Sequence, residues 1–84
     1  MDGIEARAVV DGEVAVTTAA GEQHTVLIPA GVGIPGIDDE QLAAAVVAEL
    51  QERGSALPAV LDVSQLLARD PGLLSAVAER LGAG

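Results

Sequence analysis

The sequence predicts an α+β fold: a three-stranded antiparallel β-meander, then a helix, a short segment readable as strand or helical turn, and two short C-terminal helices. Three observations carry this reading. Apolar and polar residues alternate from residue 4 to residue 28, and glycine turns interrupt them twice. After Asp38 the apolar spacing changes to the helical period. Two further helical patterns, opened by Asp62 and Asp70, then fill most of residues 55–81. A chain of 84 residues has room for one domain, read here as 1–84.

The meander occupies 4–28. In its first strand Ile4, Ala6, Ala8 and Val10 share the inward face, with Glu5 and Arg7 outward. Asp11-Gly12 is expected to make a type I′ hairpin turn, which requires positive φ at both central residues. Val14 and Val16 then point inward, Ala20-Gly21 forms the second turn, and His24, Val26 and Ile28 line the third strand. Pro29 to Gly36 can neither extend the sheet nor open a helix, so 29–37 is a crossover loop.

A helix over 38–53 follows from Asp38 as N-cap, Gln41 three residues on, the Ile37–Leu42 staple, and Gly54 as terminator. Leu42, Ala43, Val46, Val47 and Leu50 form its buried stripe; Ala44, Ala45 and Ala48 leave part of the opposite face flat. The run 55–63 is too short for periodicity to decide. An extended stretch to Leu61, then a helix from Asp62 to Arg69, satisfies its cap signals. The last helix is expected to start with Asp70 as N-cap and Pro71 in its first turn, with Leu73, Leu74, Val77, Ala78 and Leu81 on one face. Residues 82–84 form a tail expected to fray.

Composition narrows the chemistry. The chain has no Cys, no aromatic residue and no Lys; it has four arginines, thirteen carboxylates and a net charge of -9. Without Cys there is no disulfide, thiolate nucleophile or Cys-ligated zinc. Four dispersed arginines make no basic stripe, so a nucleic acid partner is not expected. Acidic or polar residues interrupt every apolar run, and Met1-Asp2-Gly3-Ile4-Glu5 bears acid where a secretory signal bears base; no membrane span and a cytoplasmic location are expected.

Several motifs compete for a function. Gly31-Val32-Gly33-Ile34-Pro35-Gly36 fits the dinucleotide pattern G-x-G-x-x-G between a strand and a helix. Pro35 removes an amide from the loop, and Asp38, Asp39 and Glu40 place carboxylates where a pyrophosphate would sit. A plain crossover is the better reading. His24 with Glu22 could form a metal or acid–base site, a third ligand coming from Asp11 or Glu13, but two ligands fall short of a zinc site. Ser55, Ser64 and Ser75 lack the setting of a catalytic serine. No catalytic residue, cofactor or metal is assigned.

The expected function is therefore non-catalytic: an association or adaptor module that binds a protein partner or self-assembles, using Ala44, Ala48, Leu73, Leu74, Val77 and Leu81 as its contact face. Two rivals remain in view, an acidic mimic that occupies a nucleic-acid-binding protein and a small enzyme or metal site at His24 and Glu22.

Overall fold

The computed structural model describes residues 3–82 and bears out the α+β class. In chain order the elements are β1 (Glu5–Val10), β2 (Glu13–Thr17), β3 (Gln23–Leu27), α1 (Asp39–Glu52), β4 (Val60–Asp62), α2 (Val63–Arg69) and α3 (Leu73–Arg80). They form one sheet in the order β1-β2-β3-β4. The meander is antiparallel, and β4 joins β3 in parallel after the chain has crossed through α1. Such a return needs a crossover of a dozen or more residues, and loop, helix and the 53–59 connection supply it.

The first hairpin turns at Asp11 and Gly12 but is not type I′: Gly12 has φ +79, and no non-glycine residue among those described has positive φ. A Cβ on Gly12 would lie 2.8 Å from the carbonyl oxygen of Ile28, whose own N–H donates to the Gly12 carbonyl at 2.7 Å. Glycine thus serves both the turn and the close passage of the third strand. Between Ala8 and Val10 the register shifts by one residue, so Val10 pairs with outward Glu13 rather than continuing the inward series. Val10 therefore faces out, and with Val9 it is exposed, contrary to the alternation expected for this strand. The extra residue of a bulge has switched its face.

One face of the sheet carries the core. Val14, Val16, Val26 and Leu61 pack under Leu42, Val46, Val47, Leu73 and Val77, and all of these are buried. Val32, Ile34 and Ile37 fasten the crossover loop to the same cluster. Asp38 accepts from the Gln41 amide at 2.8 Å to cap α1. The other end is a Schellman closure, in which Gly54 (φ +72) donates to the Gln51 carbonyl and Ser55 to that of Leu50.

Two expectations for the helices need correction. Ala44, Ala45 and Ala48 do not form a bare face, because α1 packs on β1 and β2 with one side and on α3 with another. The last helix starts at Leu73; Asp70 caps instead a tight turn, accepting from the Gly72 amide at 3.2 Å while its carbonyl accepts from Leu73. Gly82, with φ +73, closes α3 by donating to the Glu79 carbonyl. The rest of the expected tail, Ala83 and Gly84, lies outside the described residues, as do Met1 and Asp2. The 55–63 ambiguity resolves as a strand of three residues running straight into α2, with Asp62 as the cap.

Candidate functional site

His24 is the first residue to place, since it is the only imidazole in the chain. It lies on the inward face opposite Val16 and is 6% exposed. Its Nδ1 is 2.8 Å from the carbonyl oxygen of Pro58, and a carbonyl only accepts, so Nδ1 carries the proton. This bond ties β3 to the segment that leads into β4. Nε2 is buried with no hydrogen-bond partner among the described residues, and the Glu22 carboxylate stands 3.6 Å away with its side chain largely in solvent.

The geometry brings no third ligand to this pair. Glu13 pairs with Leu27 and His24 with Val16, so the two lie three register positions apart, roughly 10 Å along the strands and on opposite faces. Asp11 is farther still, in the first turn. Among the described residues no group of three potential metal ligands occurs. Ser64 is occupied with Asp62, whose carboxylate it approaches at 2.6 Å; that bond holds Asp62 below the usual carboxylate range, with the Gln65 and Ser64 amides adding to the effect.

Half of the chain's arginines serve the scaffold. Arg53 bonds Glu49 at 2.9 Å and pairs with Asp70, while Arg80 reaches Glu49 at 3.3 Å and also Glu52. The network locks the end of α1 to α3 and to the turn before it. The Arg53 hydrogen bond is the main reason the Glu49 carboxyl is held below its ordinary range, and Asp70 and Glu49 in turn push Arg53 upward. Glu49 is thus a half-buried structural residue.

The six proposed contact residues do not share a surface. Leu73 and Val77 are 1% and 0% exposed, Ala44 and Ala48 lie under neighbouring elements, and Leu74 and Leu81 are half-buried against the core. The exposed large apolar residues are elsewhere: Val9, Val10 and Val60, each more than half exposed.

Those valines border the sheet's other face. By register, three rows cross it: Glu5, Thr17, Gln23; then Arg7, Ala15, Thr25, Val60; then Val10, Glu13, Leu27, Asp62. The middle row is lowest at Ala15, beside the long Arg7, while Thr25 and Val60 are side chains of equal size. A hollow of about 860 Å³ lies over the first two rows, lined also by Val9, Ala59 and parts of Ala6, Val16 and His24. A half-wet antiparallel sheet ordinarily turns polar residues outward. Here Val10, Ala15, Leu27 and Val60 break that rule. Alternation alone placed Ala15 outward; the outward turn of Val10 was hidden by the run Ala8-Val9-Val10, in which either register can be buried.

Among the described residues no helix is long and apolar enough to cross a membrane. Set against models of known protein families, curated proteins and solved structures, the chain matches none of them.

Proposed function

We propose that the protein is a non-catalytic protein–protein association module whose docking surface is the open face of its sheet. The observation that supports this reading is the hollow floored by Ala15 and Thr25 and bordered by Val9 and Val60. Apolar side chains at outward strand positions gain little in water and bury productively under a partner. Compactness by itself gives no motive: the surface of 4799 Å² is close to the roughly 4,600 Å² of a folded monomer of this mass. The composition of one face does. A cytoplasmic setting belongs to the same reading, with the large negative charge keeping an open apolar face dissolved until it is covered.

The test is site-directed photo-crosslinking in the cells that make the protein, with the photoreactive residue at Ala15 on the hollow's floor or at exposed Gln51 on α1. Discrete adducts from position 15 and none from position 51 support the reading. Indistinguishable patterns from the two positions, or none from either, would sink it. Light scattering with refractive-index detection gives the mass of the free protein, since a chain without Trp or Tyr is nearly invisible at 280 nm.

A further inference from the structure

We infer that the open face accepts an amphipathic helix of a different protein, about three turns long, with an aliphatic stripe and Lys or Arg near both ends. This rests on the association reading and names the partner's chemistry. Three other occupants are disfavoured by the geometry.

A partner strand would have to add to a sheet edge, and both edges are blunted. On β1 the bulge at Val9 breaks the ladder, and the outward N–H of Ala8 already donates to the Glu40 carboxylate of α1 at 3.1 Å. On the other side β4 is three residues long and turns at once into α2. Strand addition of the kind that extends a free edge has little to grip.

A second copy fits poorly. Aligned sheets pack with their strands within about 30° of each other, so the two-fold axis runs along the strands or across them. An axis along the strands lays Val10 over Asp62 and Leu27 over Glu13; an axis across them lays Val10 over Glu5, Leu27 over Gln23 and Arg7 over itself. Either way each apolar residue of the end row meets a carboxylate or an amide. Nucleic acid is disfavoured by charge: Glu5, Glu13 and Asp62 stand on this face against Arg7 alone, within a chain of net charge -9.

A helix suits the dimensions. β1 and β4 are three strand spacings apart, roughly 14 Å, and a helix with its side chains is about 10–12 Å across. A strand of five residues, such as β2, runs about 17 Å, matched by three helical turns. Ala15, the smallest side chain of the face, lets the helix approach along the strands, as helices do on the opposite face of layered α/β folds. Glu5 lines one end of that groove and Glu13 stands beyond the other, which sets the basic ends of the partner.

The experiment titrates the ¹⁵N-labelled full chain with three synthetic peptides at low salt: a helical Leu/Ala peptide with Lys at both ends, its twin with Glu at those ends, and a strand-forming Val/Thr/Lys peptide. The Lys-ended helix should shift the amides of Arg7, Ala15, Thr25 and Val60 and bind at least tenfold tighter than the other two. Glu5→Lys combined with Glu13→Lys should invert the preference between the helical twins, and Ala15→Arg, with its circular dichroism unchanged, should abolish binding of both. Equal binding of the twins, tighter binding of the strand peptide, or failure of the Lys-ended helix to bind overturns the inference. The association reading falls separately, on the absence of adducts from position 15. Adducts from that position that join two copies of the chain would leave association standing and overturn the partner assignment.

Discussion

His24 and Pro58 are 34 residues apart in sequence, yet the imidazole Nδ1–H donates to the Pro58 carbonyl at 2.8 Å on the buried side of the sheet. Next to that bond the Thr25 amide donates to the Ala59 carbonyl, also at 2.8 Å, and the parallel ladder of β3 with β4 begins. The histidine is thus a clamp on the strand that closes the sheet. His24→Ala removes the donor from a sheltered carbonyl and leaves a cavity, for a loss of about 2 kcal/mol or more in unfolding free energy. Urea denaturation followed at 222 nm measures this, and hydrogen exchange at the Thr25 amide should accelerate more than at α1. Unchanged stability would remove the clamp and return His24 to consideration as a reactive group.

Gly12 and Gly21 both have positive φ, +79 and +84, but only Gly12 has backbone against its missing side chain. Gly21→Ala bears the conformational cost alone, on the order of 1–2 kcal/mol. Gly12→Ala adds the collision with the Ile28 carbonyl and should be the more damaging by at least about 1 kcal/mol. Thermal melts of the two variants compare them directly. Equal losses would mean that the β3 end yields freely.

What could be read in the sequence was local. The caps at Asp38 and Asp62, the stop at Gly54 and the turn positions at Gly12 and Gly21 each depend on a few neighbouring residues and their allowed dihedrals, and all stand where expected. Long-range outcomes were not legible. Burial of Ala44, Ala45 and Ala48 depends on how α1 is seated among β1, β2 and α3, and the parallel pairing of Val60 with Thr25 depends on the route of the chain through α1. The candidate face suffered most from this. Its floor at Ala15 follows from strand alternation, but the outward turn of Val10 beside it exists because of a bulge that three consecutive apolar residues conceal.

Leu74 and Val77 separate core from surface on α3. Val77 is fully buried, so Val77→Asp leaves an unpaired charge in the core and should unfold the chain, a loss above about 4 kcal/mol. Leu74 is half-buried, and Leu74→Asp should keep helix content while costing about 1–2 kcal/mol. Circular dichroism with light scattering distinguishes the two outcomes. A folded Val77→Asp protein that merely lost a partner would place Val77 at an interface after all.

Acid should loosen the α1–α3 junction. Glu49 is held below the ordinary carboxylate range first by its bond to Arg53, and Asp62 by its bond to Ser64. A carboxyl whose pKa is lower folded than unfolded stabilises the fold fully above the unfolded value, about 4, and loses that contribution as pH falls through the folded value. The melting temperature should therefore decline as pH drops from 5 toward 3. Glu49→Gln should lower the melting temperature at pH 7, because Arg53 and Arg80 lose a shared anion, and should flatten the decline below pH 5. Thermal melts of both proteins from pH 3 to 7 measure the slopes. If the variant retained the full acid slope, the junction would owe nothing to the charge on Glu49, and the two arginines would be held by Asp70 and Glu52 alone.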